Sequence, residues 1–144
     1  MSKTQPDIHD AELVLKVYDL RREPVMRASR EAVVGKFWPK NYEEFSAILK
    51  FDHPLNAAYR QVASYYEMIY GFAKNGVVHP EFFLESNNGE GLFFFARVHP
   101  YLERLRKEVN PNAFANHEWM IQNTQAGKRM FELFVKRTQA MAPK

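Results

Sequence analysis

The sequence predicts an all-α fold, an irregular bundle of six to eight helices without a sheet. Apolar residues recur at helical spacing over most of the chain. Helix start and stop residues bracket those periodic stretches. No segment shows the strict alternation of a half-buried strand.

The first helix begins after Asp7, a good N-cap residue, with Asp10 three positions on and favourable to the helix dipole. From Ile8, the residues Ala11, Val14, Leu15 and Tyr18 keep helical spacing. Leu13, Val17 and Leu20 widen the stripe, so this helix is expected to have neighbours on two sides. Pro24 interrupts it, and the helix formers around the proline predict a kinked or closely abutting pair reaching Phe37.

Pro39-Lys40-Asn41 is a break, after which Asn41 can cap a short helix at Tyr42–Lys50, with Glu44 in the capping-box position. The best-defined helix runs from Pro54 to about Asn75, with Leu55, Ala58, Tyr59, Val62, Tyr66, Ile69 and Ala73 on one face. Asn75-Gly76 stops it. Pro80–Leu84 reads as one or two helical turns, and Asn87-Asn88-Gly89 as a tight turn. Gly91–Val109 reads as a helix bent near Pro100, with Phe94, Val98, Tyr101, Leu102 and Leu105 inward. Two more helices cover about Asn112–Gln122 and Thr124–Met141, the last with Met130, Phe131, Phe134 and Val135 on its apolar side.

A length of 144 residues fits a single domain over residues 1–144, with frayed ends at 1–7 and 142–144. Such a chain buries roughly 68–70% of the surface its unfolded form exposes, so it needs neither metal nor disulfide to fold. The absence of cysteine excludes disulfides, thiolate zinc sites, iron–sulfur clusters and cysteine nucleophiles, and fits a reducing compartment. The polar start of the chain rules out a signal-peptide core, and no stretch approaches the roughly 20 apolar residues of a membrane span. Cytoplasm is the expected location. The 15% aromatic content is high, and helical spacing assigns most of it to a thick core.

Motifs for chemistry are sparse. The five histidines (9, 53, 79, 99 and 117) are not paired at metal-ligand spacing. His99 and Glu103 share a helix face, but two ligands do not close a site, so no metal and no cofactor is expected. His53 and His79 precede prolines at helix starts and read as capping or turn residues. No serine lies in a Gly-x-Ser-x-Gly turn, and no residue is assigned a catalytic role. Asn87-Asn88-Gly89-Glu90-Gly91 lacks the Lys-Ser or Lys-Thr of a phosphate loop.

The net charge of +3 and the pI near 9.1 are a mild excess of base with both signs interspersed. The densest basic region, Arg21 to Arg30, also holds Glu23, four residues from Arg27, and Arg27 lies four from Glu31. That is ion-pair spacing, which speaks against a nucleic-acid face. Glu67 stands in Tyr65-Tyr66-Glu67-Met68-Ile69-Tyr70, the most apolar part of the best helix. An inward carboxylate there needs a partner, and Arg27 or Arg30 is the natural one. A second use makes Glu67, with Tyr66, Tyr70 and Phe94, the polar floor of an aromatic-walled ligand pocket.

The segments LKVYDLRREPVMRASR (Leu15–Arg30), YYEMIYG (Tyr65–Gly71) and GEGLFFFARVHPYLERLR (Gly89–Arg106) resemble an uncharacterised family of small bacterial helical proteins, a domain of unknown function. The resemblance covers most of the chain and rests on packing patterns. It implies an all-helical bacterial cytoplasmic protein and carries no activity, cofactor or catalytic residue. Phe95 stands where more distant relatives would have Trp, which implies a core position.

The sequence leaves three functional readings. The leading one is a non-catalytic helical module acting through an unknown protein partner or through self-association as a homodimer, with the amphipathic basic last helix as a docking element. The second is a small-molecule binder or enzyme around Glu67. The third is an anionic-surface or nucleic-acid binder through the Arg21–Arg30 region.

Overall fold

The computed structural model describes residues 3–143, so Met1, Ser2 and Lys144 of the ends expected to fray lie outside the described residues. The chain folds as an irregular all-α bundle, with no strand among the described residues. Helices α1 (Ile8–Arg22) and α2 (Pro24–Arg30) abut at Glu23. There ψ is 139°, the extended value that a following proline imposes on its predecessor. The Glu23 carboxylate then accepts the Met26 N–H at 2.9 Å and caps α2. It therefore forms no ion pair with Arg27, contrary to the spacing, and Arg27–Glu31 is likewise unformed among the described residues. A π-helical turn, Glu31–Gly35, carries the chain on to Phe37.

Asn41 caps α3 (Tyr42–Ala47) through the Glu44 N–H at 2.8 Å. The central helix α4 (Asn56–Lys74) buries Tyr59, Val62, Tyr65, Tyr66, Ile69, Tyr70 and Ala73. It ends where Gly76 turns left-handed at φ 77°. His79 caps α5 (Pro80–Glu85), its Nδ1 accepting from the Phe82 N–H. The expected Gly91–Val109 helix is two arms, α6 (Glu90–Val98) and α7 (Leu102–Glu108), joined by a 3₁₀ turn at His99–Tyr101. Pro100 lacks the N–H that would continue α6. Helices α8 (Ala115–Asn123) and α9 (Gln125–Met141) complete the chain, α9 packing on α5, α6 and α8.

Asp10 fastens the start of α1 to the body. Its fully buried carboxylate accepts from Asp7 N at 2.9 Å, His79 N at 3.1 Å and Lys3 Nζ at 3.1 Å. Burial alone would raise this carboxyl, but those bonds outweigh it and hold it below its ordinary value. Farther along, the Tyr65 hydroxyl donates to the Val17 carbonyl at 2.7 Å and joins α4 to α1.

A close helix contact lies at Gly91 in the first turn of α6. A Cβ there would stand 2.6 Å from both the Tyr66 ring and the Tyr70 hydroxyl. Only a hydrogen lets α6 settle on the two tyrosines, so Gly91→Ala forces the helices apart. Its expected cost is about 2–3 kcal/mol of stability by urea denaturation, despite alanine's better helix propensity.

Candidate functional site

Glu67 leaves α4 toward α8 and meets neither arginine. Its carboxylate accepts the Asn116 N–H at 2.9 Å and the His117 N–H at 3.2 Å, and lies 2.8 Å from His117 Nδ1. The residue before α8, Phe114, has no side-chain acceptor and sits left-handed at φ 58°. Glu67 therefore supplies from another helix the cap that α8 lacks. Burial opposes the ionised carboxyl, but the His117 and Asn116 bonds prevail and its pKa lies below the usual value. His117 is 1% exposed among Tyr70, Phe95 and Phe114. Burial lowers its pKa against the pull of Glu67, so it stays neutral with its proton on Nδ1 facing the carboxylate.

The arginine expected beside Glu67 binds Glu90 instead. Arg30 Nε and Nη2 grip the two Glu90 oxygens, the latter at 3.0 Å, and the Tyr66 hydroxyl donates to the same carboxylate at 2.8 Å. Arg27 is exposed on the outer side of α2. Tyr70 donates to the Asn88 carbonyl at 2.7 Å. Tyr66, Tyr70 and Phe94 are thus fully buried and close-packed, with both tyrosine hydroxyls engaged, and do not wall a pocket with Glu67. Glu67 instead borders a shallow outer dent with Ser64, Asn110 and Asn112. Its side chain does not face the core as the apolar run predicts. It lies at the edge of the buried face, within reach of the α8 amides.

Arg97 is a site residue that the sequence reading passes over. It projects from α6, 4% exposed, with no carboxylate beside it among the described residues. Nη1 donates to the carbonyls of Val33, Val34 and Phe37 at 3.3, 2.7 and 2.8 Å, gathering three backbone acceptors at the end of the π-helical turn. The guanidinium lies 3.6 Å from the centre of the Trp38 ring, a cation–π contact. Trp38 is held by its own Nε1–H, which donates to the Gly35 carbonyl. Burial lowers the Arg97 pKa to about 10, so it remains a cation at neutral pH. Beside it opens a cleft of about 330 Å³ between Trp38–Lys40, Pro100–Tyr101 and the end of α9. The signal is present in the sequence, since Arg97 is the one charge in the run Leu92–Val98.

The outer face of α1 is the main apolar exposure. Ile8 and Leu15 are 67% and 66% exposed and Tyr18 is 38%. With half-buried Ala11 between them and Arg22 at the end, they form a stripe at helical spacing. Only Asp10 and Val17 of this helix are buried, while Leu13 and Val14 are half-buried. Helices α2, α4 and α5 all meet α1 on its inner side, and among the described residues nothing covers the outer side, where the sequence predicts a second neighbour. Leu20 and Met68 line a 580 Å³ groove between α1–α2 and α4. Arg21 and Arg22 lie over the Tyr18 ring, and Arg30 is spent on Glu90, which disperses the basic region.

A family model described as a domain of unknown function, DUF4760, matches residues 6–124. The chain belongs to that family. The DUF4760 match takes in the Glu67 cap, the Arg30–Glu90 pair, Arg97 and the stripe on α1, and ends where α9 begins. No curated protein and no solved structure matches. Among the described residues no group of three metal-ligating side chains gathers, and no helix is long and apolar enough to cross a membrane.

Removing the cap strands two helix amides and a buried imidazole N–H. Glu67→Ala is expected to cost about 2–4 kcal/mol in chemical denaturation, and Glu67→Gln, which keeps one acceptor oxygen, about half as much. Acid acts on the same groups. Folded His117, Glu67 and Glu90 all have lowered pKa values, so the unfolded chain takes up protons first. Stability should be level above the ordinary histidine value of 6.5 and fall below it. It should fall again as pH drops through the ordinary glutamate value of 4.5 toward the lowered ones. Urea midpoints measured from pH 8 to pH 3 check this.

Proposed function

We propose that this DUF4760 protein is a helical protein-interaction module that associates with a second copy through the outer face of α1. The exposed stripe Ile8–Ala11–Leu15–Tyr18 carries the reading. Apolar side chains at helical spacing lower the free energy of a chain only where something covers them, and the bundle covers the opposite face.

Three features favour a copy of the same chain as the cover. Leu15 is the midpoint of Ile8–Arg22, so an antiparallel copy brings the centre of one stripe onto the centre of the other, as a two-fold interface requires. The same arrangement brings Arg22 of one copy within a turn of Glu12 of the other, an opposite-charge rim around an apolar middle. The rim residues Glu12, Lys16 and Asp19 are all exposed and so can face a partner. The reading keeps the cytoplasmic location expected from the composition, and the absence of cysteine supports it.

Sedimentation or light scattering over a concentration series tests the proposal. The wild type should pass from monomer to dimer, and Leu15→Glu should remain monomeric with its dimer dissociation constant raised at least about 30-fold, the equivalent of a 2 kcal/mol hot spot. Because Leu15 is exposed, the variant should keep the thermal midpoint that the wild type shows in dilute solution as a monomer, and lack the rise in midpoint with concentration that dimerisation gives the wild type. A wild type that stays monomeric at high protein concentration overturns the reading, as does a Leu15→Glu variant that dimerises as well as the parent.

A further inference from the structure

Arg97 differs from the buried carboxylates of this fold. Asp10, Glu67 and Glu90 each have their hydrogen-bonding oxygens met by donors. Arg97 spends only Nη1, on three carbonyls, and its Nε and Nη2 are buried with no hydrogen-bond partner among the described residues. Those two atoms form one edge of the guanidinium, with parallel N–H bonds spaced to meet both oxygens of a carboxylate. Arg30 shows the edge in use, its Nε and Nη2 holding the two oxygens of Glu90. A cation with that edge empty is costly to bury, and the helix-end carbonyls and Trp38 meet only part of the cost.

A second unpartnered group belongs to the same place. Thr138 Oγ1 is buried without a hydrogen-bond partner among the described residues, and Thr138 and Arg97 both line the 330 Å³ cleft. Its walls combine flat and apolar surfaces, Trp38, Pro39, Pro100, Tyr101 and Val135, with the polar side chains of Lys40 and Gln139. That is the composition of a small-ligand site, an apolar enclosure with a few fixed polar groups. The positive charge of Arg97 and Lys40 selects an anion, the two-donor edge selects a planar carboxylate, and the aromatic walls select a flat apolar body.

We propose that the cleft binds a small organic carboxylate, its two oxygens on Nε and Nη2 of Arg97 and its apolar body between Trp38 and Tyr101. Thr138 and Lys40 supply further donors. The free edge of Arg97 is closed to water in the structure, so entry requires the end of α9, which carries Thr138 and Gln139, to yield. Binding then fixes the last turns of α9, beyond the part of the chain that matches the family. The site is separate from the α1 stripe, and a Leu15→Glu monomer retains it.

The test uses the full chain with Trp119→Phe, leaving Trp38 as the single indole reporter. Benzoate is titrated beside benzyl alcohol, its neutral counterpart, and inorganic phosphate, a tetrahedral anion. Saturable change in Trp38 fluorescence and a raised thermal midpoint are expected with benzoate, no response with benzyl alcohol, and a weaker one with phosphate. Arg97→Met should abolish the benzoate response. Thr138→Val, which deletes only one hydroxyl, should weaken it about fivefold while the protein stays folded, the worth of one neutral hydrogen bond. If Arg97→Met does not fold, Thr138→Val and Lys40→Ala carry the decision. No saturable response to benzoate overturns the proposal, as does an equal response to benzyl alcohol or undiminished binding in these variants. Tighter binding of phosphate than benzoate overturns the carboxylate assignment.

Discussion

The contact of α6 with α4 at Gly91 sets the positions of most of the polar joints in this fold. Because the glycine has no side chain, the first turn of α6 rests directly on the rings of Tyr66 and Tyr70. That closeness places Glu90 within reach of the Tyr66 hydroxyl and of Arg30 on α2, so one carboxylate joins three helices. Within the next two turns, the same helix delivers Phe94 and Phe95 to the core and Arg97 to the carbonyls that end the π-helical turn. The segment from Arg30 to Phe37 is therefore held at both ends by α6, through an ion pair at Glu90 and a clasp on backbone carbonyls at Arg97.

Polar groups at these joints specify geometry more than they add stability. A buried ion pair returns little beyond its desolvation cost, yet a broken one is expensive, so each pair permits one arrangement of its helices and penalises others. Glu67 works in the same way between α4 and α8, because the left-handed Phe114 leaves α8 uncapped from within its own chain segment. Helix α1 lies outside this system. It is joined by Asp10 at its start and the Val17 carbonyl near its middle, and it turns apolar residues both inward and outward. A helix with apolar side chains on two faces and neighbours on one has an interface left over, which is why the functional reading rests there.

Much of this fold is legible in the sequence, and the misses share a cause. Period, caps and prolines locate the helices, since Asp7, Asn41, His79 and Pro100 act on backbone groups within a few residues of themselves. The breadth of the α1 stripe predicts neighbours on two sides, and helical spacing alone counts Leu15 and Tyr18 with the core, whereas both are exposed. Periodicity marks apolar faces without saying which one the bundle covers. The polar partners come out wrong where they depend on tertiary placement. Glu67 is recognisable as needing a partner, yet finding His117 fifty residues away requires knowing where α8 lands. Arg97 can be found by the reasoning applied to Glu67, as a lone charge in an apolar run. Its partners are backbone carbonyls and a tryptophan, which leave no complementary charge in the sequence.

Hydrogen exchange of the native protein at two concentrations is the decisive measurement, because it reads the clamped core and the open helix together. Amides of α4 and α6 should exchange only through global unfolding at both concentrations. Those of α1 should exchange faster in dilute solution and slow markedly as the concentration rises and its outer face is covered. Protection of α1 that is independent of concentration, or already equal to that of α4 in dilute solution, would contradict a core clamped by α6 with α1 left open for a second copy.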